Sequence, residues 1–471
     1  MEKFINIINM FAPEIILTIT VVVNCLLAFI PKDISYKIFK WFSAVSLTVA
    51  TGSLFLTQTS MDYHYFFGNA FVTNIYTAFV KFIILACFFL IMLYSRTSIK
   101  LQKDNAPYYC NALFVATLGA LLLVSANNLI SVFVALLLTT IGGILIAKYS
   151  YEKITQKYIL ISGLALFIYL IGSIMLFMQY GETNIELFAD KLEFAIFDFN
   201  FLVAAILLIS ALCFQIFAFP FVSWKNYICK SMNYSSLTFL SVVPMIAGFS
   251  VLSRMMVFMF SSCEILTIMI AIISVISISL GLMLGLQKEN LKEIITSNTT
   301  IQSGIMLLGL SCFSAYSLSS VLFYLFCYAV AMVALGASLT IINKSNLSAY
   351  QGMIYTRPYY AFATTLCFLT LAGLAPTCGF ISKIYLLSAV TRSNTILMVF
   401  LVIALFLMIG TTMFYFRLAS IAFLSKDEIS DNLNFDKFAK TILYICTMLI
   451  FVITIFPEKI IELCKIIAYN I

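Results

Sequence analysis

Charge, histidine and tryptophan are scarce in this chain. Only 10% of its 471 residues are Asp, Glu, Lys or Arg, where soluble domains carry about 25%. A water-soluble fold of this length is excluded, because its surface could not be made polar enough. The single histidine is His64, and the 12 cysteines include no Cys-x-x-Cys pair. The sequence therefore offers no Cys/His zinc, haem or iron–sulfur site. The cysteines read as small apolar packing residues. There is no Gly-x-Gly-x-x-Gly and no Walker loop, so nothing suggests a nucleotide site. The first ten residues are mixed in character, so the apolar run after them reads as the first of many spans, not a cleaved leader.

What the chain has in abundance is apolar mass. Hydrophobic residues make up 63% of it, with 45 Phe and 25 Tyr. A bilayer core of about 30 Å takes roughly 20 apolar residues as a helix. That ruler places seven spans near 13–30, 39–57, 74–95, 110–126, 128–147, 158–179 and 200–219. Seven more fall near 236–258, 264–286, 301–315, 318–342, 359–387, 395–422 and 439–457. The runs are continuously apolar, unlike the alternating strands of a membrane barrel. An all-α integral membrane fold of about 14 transmembrane helices is expected.

The distribution of positive charge tests that count. Of the 27 Lys and Arg, nineteen fall in loops that follow odd-numbered spans, Lys225 among them. Six fall on the opposite side with the termini, and Lys81 and Lys383 lie within spans. Cationic loops stay on the cytoplasmic side, so both termini are expected outside, which requires an even number of spans. The net charge of +7 thus reports topology rather than nucleic-acid binding.

Three prolines sit in or at the edge of spans: Pro220, Pro244 and Pro376. A proline removes a helical hydrogen bond and strands a carbonyl, which in lipid must find a partner or a water-lined cavity. Pro220 closes the seventh span and Pro376 interrupts the twelfth. They fall at corresponding places if spans four to eight and nine to thirteen are two five-helix repeats. An offset of five spans would make the repeats inverted. The expected organisation is 1–109 for the first three helices, 110–258 and 259–424 for the repeats, and 425–471 for a C-terminal helix.

A lysine at mid-membrane costs about 2.5–3.5 kcal/mol on insertion scales and persists where it faces a cavity or a partner. Lys383 lies seven residues after Pro376, about two helical turns, beside the expected break. Lys81 lies seven residues into its span, close enough to one end to snorkel outward. No Asp or Glu is expected deep in a span. Arg254 and Glu264 read as boundary residues, and His64 as part of an outer loop.

These motifs resemble a known family. GLAPTCGFISK (373–383) resembles the Gly-Ile-Pro-Pro-x-x-Gly-Phe-x-x-Lys signature of the antiporter-like membrane subunits of respiratory complex I. FQIFAFPFVSW (214–224) is similar to the family's proline break in span seven, and VSANNLISVF (124–133) to its Ala-Ser-Ala-Asn-Asp-Leu segment. LKEIITSNTTIQSGIMLLGL (291–310), LFYLFCYAVAMVALGA (322–337) and YQGMIYTRPYYAF (350–362) resemble further family segments. The span count and the pair KY (157–158) point to the subunit N branch.

The resemblance implies a membrane-arm subunit of a proton-translocating NADH-quinone oxidoreductase in the cell inner membrane. Its partners would be the antiporter-like subunit M and the small subunits J and K. FMN, iron–sulfur clusters and quinone would be held by partner subunits, with no cofactor or redox site on this chain. The proton-pathway candidates are Lys383, Lys157, Gln215 and Lys81, with helix breaks at Pro220 and Pro376. Several family positions are altered here. Leu137 stands for a glutamate, Gln215 and Met245 for lysines, Val222 for a histidine and Gln302 for another histidine. The alternatives are a multisubunit cation/proton antiporter subunit, the membrane subunit of a hydrogenase complex, or a scaffold that does not pump.

Overall fold

The computed structural model describes residues 10–27, 32–57, 63–95, 106–149, 152–192, 199–260, 263–342, 346–347, 351–424 and 437–470. Among these, nine helices are long and apolar enough to cross a membrane, and five shorter apolar helices have 10–17 residues. Of the C-terminal segment expected at 425–471, residues 425–436 and 471 lie outside the described residues. Two compact units emerge. The first holds 1–215, 243–263 and 470–471, and the second holds 216–242 and 264–469.

The first unit begins with helices α1 (Ala12–Leu27), α2 (Lys32–Thr57) and α3 (Ile75–Tyr94). Between α2 and α3 lies a feature that the all-α reading omits, a two-stranded hairpin of β1 (His64–Phe66) and β2 (Phe71–Thr73). Its turn runs through Phe67, Gly68 and Asn69, all at positive φ. His64 is therefore a strand residue, opposite Thr73. The unit continues with α4 (Ala106–Ser125), α5 (Leu129–Lys148), α6 (Glu152–Tyr180), the short α7 (Leu187–Leu192) and α8 (Phe199–Gln215).

The chain then passes through Pro220 into α9 (Val222–Cys229) and α10 (Tyr234–Phe258). Pro244 lies inside α10 without ending it. The second unit continues with α11 (Glu264–Gln287), α12 (Leu291–Leu310), α13 (Ala315–Ile342), the single turn α14 (Met353–Thr356), α15 (Pro358–Ala372), α16 (Cys378–Thr391) and α17 (Thr395–Leu424). It closes with α18 (Lys437–Ile455) and α19 (Pro457–Tyr469). The last helix is an addition to the sequence reading. Proline at its first position suits a helix start, where the missing N–H is not needed.

Hydropathy misplaces one span. The tenth was expected at 301–315, yet α12 starts at Leu291 and stops at Leu310. Its first half, LKEIITSNTT, is polar but buried. Backbone self-bonding makes this possible. The hydroxyls of Thr296 and Ser297 donate to the carbonyl of Glu293, Thr299 to that of Ile295, and Thr300 to that of Thr296. Buried hydroxyls that bond their own helix need no further partner.

One local construction occurs in both units, its two copies 162 residues apart in sequence. In the first, Asn128 caps α5 and bridges to Asn184, and the Ile185 N–H donates to Asn127 O at 2.9 Å. In the second, Asn290 caps α12 and bridges to Asn346, and the Leu347 N–H donates to Glu289 O at 3.1 Å. Gly119 packs against Thr139 and Gly142 against Ala116. In the same register, Gly281 packs against Ile301 and Gly304 against Ile278. A side chain at any of the four would force its helix pair apart. Near the end of α10, Arg254 donates to the carbonyl of Ala126 at 2.8 Å. On α17, Arg417 donates to that of Leu286 at 2.7 Å.

Candidate functional site

The second helix break is where the sequence reading places its chief candidate. Helix α15 stops at Ala372, and α16 does not start until Cys378. The carbonyl of Ala372 would ordinarily accept from residue 376, but that residue is a proline with no N–H. Lys383 supplies what is missing. Its Nζ donates to Ala372 O at 2.7 Å and to Leu371 O at 3.1 Å. The residue is 6% exposed. Charge-assisted bonds of about 1.5–3 kcal/mol each offset the desolvation of the ammonium.

Gly373 makes room for this arrangement twice over. It adopts φ +72° to close α15, donating its N–H to Leu369 O and Thr370 O. A side chain there would also collide with Lys383 Cδ.

From Lys383 a polar string runs on within the second unit. Leu371 O also accepts from Gln302 Nε2, at 2.8 Å. Gln302 Nε2 lies 2.8 Å from the hydroxyl of Tyr415, and its Oε1 accepts from Tyr324. Tyr415 donates in turn to Asn298 Oδ1. All four residues of this string beyond Lys383 are buried. Beside it lies a small cavity, on the scale of a water molecule, lined by Gln302, Tyr324, Tyr328, Thr370 and Ser382. Only Gln302 of this group was singled out from sequence. The tyrosines and Asn298 carried no signal, since tyrosine is common throughout the chain.

The first break holds a second lysine. Helix α8 ends at Gln215, and Phe217 takes φ +63° before Pro220. The Phe219 N–H donates to Ser277 Oγ at 3.0 Å, and Ser303 Oγ lies 3.4 Å from Phe217 O. Lys225 on α9 is 5% exposed, and its Nζ lies 3.4 Å from the Phe217 ring centroid. Charge counting had assigned Lys225 to a loop. Its position five residues after a break was the available signal.

Other candidates lie in the first unit. Gln215 is 4% exposed at the end of α8. Lys157 is on an exposed face of α6, while its neighbour Tyr158 turns inward against Phe214 and Gly143. Lys81 does not snorkel: it is fully buried and bridges Glu14 Oε1 at 2.7 Å. Its partner is a buried carboxylate in the first turn of a span, a residue the sequence reading did not single out. Glu14 stands near the start of its helix in sequence, but α3 and α4 cover it. Its Oε1 also receives Ser125 Oγ at 3.4 Å, and its Oε2 has no hydrogen-bond partner among the described residues.

Arg254 does stand near the end of α10, as its boundary reading expects, but it is buried there. It is 2% exposed and binds Ala126 O, Asn127 Oδ1 at 2.8 Å and Glu186 Oε1 at 3.3 Å. The hairpin leans on the same knot. Burial, followed by the hydrogen bond and charge of Glu186, raises the Tyr65 phenol to about 12. At the other edge of the second unit, Glu293 bridges Lys230 at 2.9 Å and Lys288 at 3.2 Å. No group of three or more His, Cys, Asp or Glu that could hold a metal occurs among the described residues.

Chemically, the string can hold and pass a proton. It pairs one amine with amide and phenol groups in hydrogen-bond reach, and it carries no nucleophile–base pair or redox ligand set.

Comparison with known proteins agrees with this picture. A relative named NADH-quinone oxidoreductase subunit N, from Desulforamulus reducens, is 26% identical over 84% of this chain and 84% of its own. A chain of respiratory complex I from Thermus thermophilus superposes with a TM-score of 0.81 at 20% identity, covering 96% of this chain and 98% of that one. A chain of the Mrp complex from Dietzia sp. DQ12-45-1b gives 0.82 at 15% identity, covering 98% and 97%. The family model described as NADH:quinone oxidoreductase/Mrp antiporter, TM, matches residues 126–408. Both helix breaks, Lys383 and its polar string fall almost wholly inside that match, and the chain belongs to the NADH:quinone oxidoreductase/Mrp antiporter transmembrane family.

Proposed function

We propose that this multi-pass membrane protein is the subunit N type of membrane-arm subunit in an NADH-quinone oxidoreductase. It would couple electron transfer from NADH to quinone, carried out elsewhere in the complex, to proton movement across the membrane. The observation that carries the proposal is the buried ammonium of Lys383, held by two carbonyls at a proline break and continued by Gln302, Tyr324, Tyr415 and Asn298. An amine beside amide and phenol groups can exchange a proton along them, and a charge arriving nearby biases that exchange.

The chain contributes to the complex's oxidoreductase activity as a subunit. FMN, iron–sulfur clusters and quinone belong on partner subunits. Subunit M and the small subunits J and K are the proposed neighbours, in a cell inner membrane with both termini on the periplasmic side. We take the membrane region as 14 spans, with 1–109 ahead of two inverted repeats at 110–258 and 259–424 and with 425–471 after them. The recurrent register of 162 residues supports the repeats.

That register also supports an asymmetric role. Asn298 and Gln302 fall on Leu136 and Thr140, so the first repeat lacks the amide pair that extends the string from Lys383. Proton movement is accordingly assigned to the second repeat and Lys383, with Gln215, Lys157 and Lys81 as the remaining candidates. The second reading is a subunit of a cation/proton antiporter or a non-pumping scaffold, supported by the fit to the Mrp complex chain. Purification of the native assembly decides between them. Flavin- and iron–sulfur-bearing partners support the proposal, and an assembly without any dehydrogenase subunit removes it.

A further inference from the structure

Each helix break is followed by one buried lysine, at a similar distance. Lys383 comes seven residues after Pro376 and Lys225 five residues after Pro220. Both ammonium groups turn back onto the break that precedes them. Lys383 meets the carbonyls of Leu371 and Ala372. Lys225 lies over the ring of Phe217, the residue whose positive φ turns the chain out of α8. A cation held over an aromatic face keeps its attraction when water is excluded.

One helix serves both places. On α12 the consecutive residues Gln302 and Ser303 reach the two breaks, Gln302 at Leu371 O and Ser303 at Phe217 O. Adjacent polar side chains of one helix thus touch the two breaks onto which the lysines turn, within one compact unit. The titratable group one turn beyond Lys225 on α9 is Cys229, which is buried.

We propose that Lys225 is a second proton-binding group of this subunit, seated at the first break and acting in series with Lys383 along the Ser303–Gln302 edge of α12. A proton is taken up on Lys225 Nζ, released from the same nitrogen through water, and taken up by the neutral amine of Lys383. Each amine gains and loses one proton, and no electron moves. The inference rests on the reading that this chain moves protons. It replaces Gln215, which cannot titrate, as the acting group of the first break.

The test uses the whole complex in sealed membrane vesicles, with NADH oxidation and the resulting proton gradient measured together. The variants are Lys225→Met, Lys225→Arg, Lys383→Met and, as a control, Lys459→Met on the exposed face of α19. Lys225→Arg keeps the cation over Phe217, and so its packing, but an arginine does not release its proton. The expected result is that Lys225→Arg assembles and loses gradient per NADH oxidised to the same extent as Lys383→Met, while Lys459→Met keeps it. Full proton yield in Lys225→Arg overturns the proposal and makes Lys225 a structural cation. If Lys383→Met also keeps full yield, the proton-moving reading itself fails together with the inference. If Lys225→Met does not assemble, the arginine variant still decides the matter.

Discussion

Lys383 and Gln302 hold the same carbonyl: Leu371 O accepts from the ammonium at 3.1 Å and from the side-chain amide at 2.8 Å. One oxygen left without a helical partner by the break before Pro376 joins the basic group to the polar string of α12. The break is the reason the two side chains communicate, because an intact helix would have spent that carbonyl on its own backbone.

Lys383 should therefore be indispensable to proton movement. Lys383→Ala is expected to assemble and to lower the proton gradient formed per NADH oxidised, measured in vesicles against the electron-transfer rate. An unchanged ratio would mean that this subunit does not pump.

Gly373→Ala tests the geometry without touching the charge. An alanine at φ +72° is strained by about 1–3 kcal/mol, and its methyl meets Lys383 Cδ. The expected outcome is reduced thermal stability of the solubilised complex and a lower proton yield with Lys383 still present. Full yield would show that the ammonium's position is unimportant.

Gln302→Leu cuts the string. It leaves the Tyr324 hydroxyl without its partner, at about 1–3 kcal/mol for a stranded buried group. Proton yield should fall while NADH oxidation by the peripheral centres persists under an uncoupler. Equal yields in the variant and the parent would remove Gln302 from the path.

Glu14 and Lys81 should behave as a pair. Removing one partner of a buried ion pair costs about 3–5 kcal/mol, whereas replacing both with apolar residues is often neutral. Glu14→Gln and Lys81→Met are each expected to lower assembly or melting temperature. The double variant is expected to recover most of the loss, as read in a double-mutant cycle. Additive losses would mean that the 2.7 Å contact carries no coupling.

Much of this was legible in the sequence, for a physical reason. Hydropathy is a property of local runs, so the positions of most helices follow from counting. Proline acts on its own backbone, so Pro220 and Pro376 mark their breaks without any knowledge of neighbours. The family motifs around 214–224 and 373–383 are likewise local strings. Hydropathy failed at Leu291–Thr300 because those hydroxyls are satisfied by their own helix, which no transfer scale counts. It failed to find the hairpin at 64–73 because a three-residue strand has no length in which a period can show.

By itself, then, the sequence determined that this is a multi-helix membrane chain, where its helices break and that Lys383 follows the second break. Tertiary structure alone decided what those groups meet. Glu14 covers Lys81 across 67 residues of chain, and Arg254 reaches back to Ala126. Leu371 O is shared by two side chains from different helices, and Lys225 leaves its presumed loop for a buried seat over Phe217. Such pairings depend on which helices pack together, and burial inside the bilayer makes an unpaired polar group too costly to leave to chance.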